Sequence, residues 1–317
     1  MSDVRYTEIS AEEEGQRLDN YLLRVLKGVP KSHIYRIIRG GEVRVNKKRA
    51  QAATRLTQGD SIRIPPVRTA ESKEVFVGAQ LEQRLKDCIL FEDNGLLVVN
   101  KPAGIAVHGG SGLSLGMIEA LRKTRTDLHY LELVHRLDKE TSGCLLFAKK
   151  RSVLRAVQAL LAEREVSKTY WALLARPWRG AKLQQVDQPL LKNTLHSGER
   201  IVTIDAAGKS AQTSFRLLEN YDQACWVEAS PKTGRTHQIR VHSAFLDHPI
   251  VGDEKYGKPD LTPDLLTGKS RLYLHARAIQ FNLDGQKHRY EANTDEGFAN
   301  SLKLLRAGSV RSHEQTI

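Results

Sequence analysis

The run His135-Arg136-Leu137-Asp138-Lys139-Glu140-Thr141-Ser142-Gly143 leads straight into Cys144-Leu145-Leu146-Phe147-Ala148-Lys149-Lys150. The second half is a short apolar stretch ended by charge, the pattern of a buried strand. The first half is polar and lies between two apolar runs, so it reads as a loop held by a rigid sheet, where reactive groups tend to sit. Thr141, Ser142 and Gly143 suit a tight turn. Asp138 stands between Arg136 and Lys139, which favour its ionised form and make the loop friendly to phosphate. Taken alone, the same residues fit a structural Arg136–Asp138 ion pair equally well.

Outward from this loop the chain alternates strand patterns with a few helices. ILFED and LLVVNK flank Asn94-Gly95, a hairpin signal. Residues 114–125 suit a helix, and SVLRAVQALLAERE is amphipathic at helical spacing. VSKTYWALLAR, AQTSFRLLENY, ACWVEASP and RLYLHARAIQF read as further strands, and Asp284-Gly285 as a second hairpin. Runs of strands with inserted helices predict an α+β domain with a mostly antiparallel, mixed sheet over residues 86–306. Residues 307–317 read as a short, polar, mobile tail.

The N-terminal part differs. After an extension over residues 1–14, Leu18, Tyr21, Leu22, Val25 and Leu26 recur at helical spacing. Pro30 interrupts, Ser32 is placed to cap a second helix carrying Ile34, Ile37 and Ile38, and Gly40-Gly41 stops it. EVRVN and SIRIP read as strands, closed by Pro65-Pro66. Residues 15–66 thus form a small α/β module, and the polar residues 67–85 read as a linker. Between Lys31 and Arg55 there are eight Lys/Arg residues and one acid, Glu42. Lys31, Arg36, Arg39, Arg44, Lys47, Lys48 and Arg49 make this a basic patch rather than a diffuse excess.

The 317 residues have room for one large and one small domain, and the formal charge is +12. A basic excess of this size fits a polyanionic partner, because Lys and Arg that neutralise phosphates release condensed counterions. No apolar stretch is long enough to cross a bilayer, so no membrane partner is expected. The opening Met1-Ser2-Asp3-Val4 lacks the basic-then-apolar pattern of a secretory signal, which leads to the expectation of a cytoplasmic location. Three scattered cysteines argue against a disulfide framework. No metal site is expected: His237 and His242 point to different faces of a helix, and there is no His-Glu-x-x-His run. Nor is there a Walker loop or a dinucleotide fingerprint, so no small-molecule cofactor is expected.

Residues 15–66, with Arg17-Leu18-Asp19 and Gly41-Glu42-Val43-Arg44-Val45-Asn46, resemble the small RNA-binding domain named after ribosomal small-subunit protein four. Lys101-Pro102-Ala103-Gly104, the HRLDKETSG run, Lys168-Thr169-Tyr170 and the run Gly234 to His242 (GRTHQIRVH) occur in order. Together they resemble the large-subunit ribosomal family of pseudouridine synthases from about residue 86 to 305. His248-Pro249-Ile250, Gly252-Asp253, Tyr256-Gly257 and Leu274-His275-Ala276 extend the match. His108-Gly109-Gly110-Ser111-Gly112, with the basic module, narrows it within the family.

The resemblance implies an isomerisation of uridine in large-subunit ribosomal RNA, carried out by a monomer. Asp138 corresponds to the essential carboxylate, whether by attack on ribose carbon-1′, addition at ring carbon-6 or removal of a ribose 2′ proton. Arg240 corresponds to its ion-pair partner. Tyr170 corresponds to an aromatic that stacks on uracil and whose hydroxyl is a candidate base for the carbon-5 proton. Arg136 corresponds to a residue that fills the stack when the base is flipped out. His135 and His108 stand equally as RNA contacts or as partners of local backbone.

Two other functions compete. A scaffold that binds RNA without chemistry would be expected to have lost Asp138, Tyr170 or Arg240, and all three are intact. A glycosidic hydrolase needs two carboxylates across the bond, and Glu140 is the nearest second one.

Overall fold

The helical spacing of Leu18, Tyr21 and Leu22 forms α1 (Leu18–Val25), and Ile34, Ile37 and Ile38 form the inner face of α2 (Lys31–Arg39). Both are seen in a computed structural model that describes residues 4–26, 28–67, 78–109, 115–194, 200–266 and 271–314. All six side chains are buried, together with Leu26, Val43, Leu56, Ile62 and Ile64. α2 starts earlier than a Ser32 cap would allow. The Pro30 carbonyl accepts from the His33 and Ile34 N–H groups, so Ser32 falls inside the first turn. Gly40 ends the helix, and Gly41 follows at φ +72°, a left-handed conformation suited to glycine.

Four strands complete this unit: β1 (Arg5–Glu8), β2 (Arg44–Val45), β3 (Lys48–Arg49) and β4 (Ser61–Ile64), in the order β1-β4-β2-β3. The described part of the expected extension, residues 4–14, is therefore not a mere extension. β1 pairs antiparallel with β4, and Ile9 behind it is buried in the module's core. The Arg17-Leu18-Asp19 opening is structural. Asp19 is buried, receives Arg17 Nη2 at 2.7 Å and the Tyr35 hydroxyl at 3.0 Å, and so ties α1 to α2.

The chain divides into two compact units, Met1–Val77 with Lys150–Ser152, and Gly78–Lys149 with Val153–Ile317. The second opens with α3 (Ala79–Asp87), a helix inside the stretch expected to be linker. Leu81 and Leu85 give it an apolar stripe, and both pack on the core. The rest of that stretch, 68–77, lies outside the described residues.

Next comes the hairpin of β5 (Ile89–Glu92) and β6 (Leu96–Lys101). Its turn is held by Asp93, whose Oδ1 accepts from the Gly95 and Leu96 N–H groups at 2.7 Å each. Then follow α4 (Met117–Thr124), β7 (Glu132–Leu133), β8 (Ser142–Ala148), α5 (Arg151–Glu163), β9 (Ser167–Ala175), β10 (Leu183–Asp187), β11 (Leu190–Thr194) and β12 (Arg200–Ile204). The chain continues through β13 (Gln212–Asn220), β14 (Ala224–Pro231), α6 (Gln238–Phe245), β15 (Leu274–Leu283), β16 (Gln286–Glu291) and α7 (Glu296–Glu314). α7 runs on through residues expected to be a mobile tail, its buried Leu302 and Leu305 seated on the main core.

Ten strands form one sheet, in the order β10-β13-β14-β9-β15-β8-β6-β5, with β16 on β15 and β7 on β8. Among the described pairs only β8 with β15 is parallel, as a mostly antiparallel mixed sheet requires. All seven residues of β8 are buried. Its alternate side chains feed two cores: Leu145 and Phe147 join the core with α4, while Cys144, Leu146 and Ala148 join Val157 of α5. The loop bearing Asp138 is thus fixed to a strand covered on both faces.

Candidate active site

The loop from His135 to Thr141 is anchored by its own apolar residue. Leu137 is buried in the core beside α4, which leaves Arg136 and Asp138 on either side of it turned away. The Thr141 N–H closes the turn on the Asp138 carbonyl at 3.1 Å. Lys101, fully buried, donates Nζ hydrogen bonds to the carbonyls of Pro102, Ile105 and Lys139 at 2.8–2.9 Å. Burial pushes this ammonium down to about 8. The Lys101-Pro102-Ala103-Gly104 segment thereby braces the loop that bears Asp138.

Sheet register brings Tyr170 to the same level. Ala276 of β15 pairs with Gly143 of β8 on one side and with Tyr170 of β9 on the other. Gly143 has φ +108°, and a Cβ there would lie 2.2 Å from the Ala276 carbonyl oxygen. Only glycine lets β8 meet β15 at that step.

The loop after β14 and the first turn of α6 supply the third side. Buried Gln238 locks it: its Oε1 accepts from the Thr233 hydroxyl and the Arg235 N–H, and its Nε2 donates to the Gln212 carbonyl and the Thr213 hydroxyl. Arg240, two residues on, donates from Nε and Nη2 to the two oxygens of Asp253 at 2.7 Å each. Burial acts to raise the Asp253 carboxyl. The Arg240 bonds and the backbone N–H groups of Tyr256 and Lys255 outweigh it and hold that carboxyl below its usual range.

These pieces surround a cavity of about 490 Å³ lined by His135, Arg136, Asp138, Lys168, Tyr170, His237 and Arg240, among others. Asp138 Oδ2 lies 3.7 Å from Arg240 Nη1 and 3.8 Å from His237 Nε2. Arg136 forms no ion pair with it, so the structural Arg136–Asp138 alternative is not realised; Arg136 is exposed at the cavity edge. Burial, with the Asp138 charge adding, raises the Tyr170 phenol above its ordinary value. Burial also lowers the Lys168 ammonium. His135 accepts a hydrogen bond from the Leu146 N–H at 3.3 Å, a contact with local backbone, and burial pushes it down to about 4.

His108 is exposed, bonds the neighbouring Gly109 carbonyl at 2.8 Å and does not line the cavity. Gly110, Ser111 and Gly112 lie outside the described residues. Glu140 is exposed, lies 3.5 Å from Lys139 and is not part of the cavity lining. His242 points away from the site, bonded to the Thr213 hydroxyl and the Gln188 carbonyl. Among the described residues no group of three or more His, Cys, Asp or Glu is arranged to hold a metal ion, and no helix is long and apolar enough to cross a membrane.

In the N-terminal unit Lys31, Arg36, Arg39, Arg44, Lys47, Lys48 and Arg49 are all exposed. The contacts they make are with neutral groups: Arg36 with His33, Arg44 with the Gly41 carbonyl and Arg49 with the Gly40 carbonyl. Asp253, Tyr256 and His237 are site residues to which the sequence reading gave no role. All three sit in matched segments, Gly252-Asp253, Tyr256-Gly257 and the run Gly234 to His242, and that is their only signal in the sequence.

A family model described as RNA pseudouridylate synthase matches residues 95–245, and one described as S4 domain matches residues 16–62. With the relatives below, these matches define the class: the chain belongs to the RNA pseudouridine synthases, with an RNA-binding domain of the S4 type ahead of the synthase domain. It is 51% identical over 312 residues to ribosomal large subunit pseudouridine synthase C of Yersinia pestis, which covers 97% of each chain. It is equally similar, over 310 residues, to the protein of that name from Escherichia coli K12, with 96% of this chain and 97% of the other covered. Among solved structures, human RNA pseudouridylate synthase domain containing 4 superposes with a TM-score of 0.60 at 29% identity, over 72% of this chain and 96% of that one.

Proposed function

We propose that the protein converts specific uridines of large-subunit ribosomal RNA to pseudouridine in the cytoplasm, with Asp138 as the essential carboxylate. The observation that carries the reading is that Asp138, Tyr170, Arg240 and Arg136, drawn from three distant stretches of chain, line one cavity.

In this reading the bond between uracil nitrogen-1 and ribose carbon-1′ breaks, the base turns, and carbon-5 bonds to carbon-1′. The carbon-5 proton then leaves, and nitrogen-1 gains one. Asp138 faces the cavity from a loop whose backbone is held by Lys101 and Leu137, so little reorganisation accompanies the reaction. Arg240, fixed by Asp253, supplies a cation at the rear of that carboxylate. Tyr170 presents a neutral phenol. Its ring is a stacking face for uracil, and its oxygen can take the carbon-5 proton only if it hands on its own. Arg136, exposed and without an acid partner among the described residues, is free to enter the stack that the flipped base leaves. The unpaired cations of the N-terminal unit fit a phosphate backbone.

Asp138→Asn tests the reading. Pseudouridine formation should vanish while RNA binding and folding persist; continued turnover by that variant would overturn it. A hydrolase finds no support, because Glu140 stands outside the cavity.

A further inference from the structure

Two donors converge on Asp138 Oδ2, and only one of them, Arg240, belongs to the reading above. The other is His237. We infer that His237 is a positioning residue for the Asp138 carboxylate, presenting an Nε2–H whose place is set by the Tyr256 hydroxyl. The inference rests on the proposal that Asp138 is the reactive carboxylate.

The bonds around the Tyr256 hydroxyl favour one tautomer of His237. The Val202 N–H donates to the Tyr256 oxygen at 3.0 Å, which leaves the phenolic hydrogen to serve His237 Nδ1 at 2.6 Å. A ring nitrogen that accepts carries no hydrogen, so in the neutral ring the hydrogen sits on Nε2. That is the nitrogen facing Asp138, at 3.8 Å. Burial and the nearby Arg240 outweigh the attraction of Asp138 and lower the imidazole below its ordinary value, so the neutral ring is the form present at neutral pH. The separation is long for a hydrogen bond, as is common where a catalytic contact tightens only around bound substrate.

The backbone points the same way. His237 is held at φ 54° at the start of α6, left-handed and uncommon for a residue with a side chain, and its side chain does not cap the helix. The Gln238 network that ties this loop to β13 keeps it there. The ring is therefore free to face the cavity, and it lies edge-on to Tyr256 with centroids 5.4 Å apart. The Tyr256 ring also carries the Arg240 guanidinium, 5.1 Å from its centroid. One tyrosine thus braces both donors. Arg240 and His237 sit three residues apart, so they approach Oδ2 from one side of the first turn. Among the described residues, Asp138 Oδ1 receives no hydrogen bond and is left for substrate.

Comparing His237→Gln with His237→Leu separates donation from packing, because both side chains bear the same left-handed backbone and only Gln retains an N–H. On saturating ribosomal RNA, His237→Leu should lower the single-turnover rate roughly 10- to 100-fold, with RNA affinity changed less than about twofold. His237→Gln should stay within about fivefold of the parent. Tyr256→Phe keeps the ring over Arg240 but frees the tautomer; it should cost about three- to tenfold alone and nothing further in the His237→Leu background.

Parental turnover by His237→Leu, equal impairment of the Gln and Leu variants, or multiplicative losses in the double variant would each overturn the inference. Asp138→Asn run alongside keeps the two claims apart. If it still forms pseudouridine, the Asp138 reading fails; if it is inactive while His237→Leu is unimpaired, only the His237 inference fails.

Discussion

Arg240 binds Asp253 through two hydrogen bonds of 2.7 Å and reaches Asp138 only with its remaining terminal nitrogen, at 3.7 Å. The cation behind the proposed reactive carboxylate is therefore aimed by a second, fully buried carboxylate, and Asp138 keeps its freedom toward substrate. A tight Arg240–Asp138 pair would consume the oxygen lone pairs that the chemistry needs.

Asp253→Asn should strip the charge from this buried pair and leave Arg240 without a counter-ion. Breaking such a pair costs about 3–5 kcal/mol, with an isosteric amide toward the lower end. Urea unfolding should show that loss, and single-turnover kinetics should fall at least about tenfold as the guanidinium reorients. Parental values for both would show that Asp253 does not aim Arg240.

Tyr170→Phe keeps the stacking face and removes the hydroxyl. If that oxygen relays the carbon-5 proton, product formation should slow by roughly 100-fold or more while RNA capture is retained. Release of tritium from carbon-5-labelled uridine measures that step directly. An unchanged release rate would assign Tyr170 to stacking alone.

Stability should fall on acidification. His135 and His275 are held neutral by burial, each with its value pushed from 6.5 down to about 4. His275 donates from Nε2 to the Ala292 carbonyl, and its Nδ1 pairs with the Ser142 hydroxyl, so a second ring proton would force that hydroxyl to turn and would place a charge in the core. Between pH 6.5 and about 4 the unfolded chain binds protons that the folded chain refuses. The stability is thus complete above pH 6.5 and is lost as pH falls toward 4, by up to roughly 3 kcal/mol for fully buried His275. Urea midpoints across that range should shift downward, and His275→Gln should flatten the curve.

The exposed cations of the N-terminal unit should act on capture and not on chemistry. Replacing Lys31, Arg36 and Lys48 with Gln should reduce the slope of log affinity against log salt by about two to three, if each neutralises one phosphate. The single-turnover rate on saturating RNA should stay at the parental value. An unchanged slope would remove these residues from the RNA interface.

Much of this was legible in the sequence because the signals were local. The isoleucines of α2, the buried run of β8 and the ordered motifs each announce themselves within a few residues. Asp138, Tyr170, Arg240 and Arg136 were found as members of those motifs. What stayed hidden depends on distant partners. Nothing near Arg240 says that Asp253 will hold it, because their bond forms between a helix and a loop. His237 looked like a helical histidine to be excluded as a metal ligand, and the Tyr256 hydroxyl that contacts its Nδ1 lies nineteen residues on. The helical end of α7 was missed because Leu302 and Leu305 secure it from the side of the core, while its own last residues are polar. β1 was missed because its partner, β4, lies more than fifty residues on.

Gly143 carries a consequence for how this loop tolerates change. It follows Asp138 by five residues, yet what constrains it is the Ala276 backbone of another strand. In a saturation-mutagenesis scan both positions should be intolerant, for opposite reasons. Variants at Asp138 should accumulate as folded, inactive protein, whereas variants at Gly143 should fail to accumulate at all. One short motif would thus answer to two unrelated demands, the proposed reaction at Asp138 and the spacing of strands at Gly143.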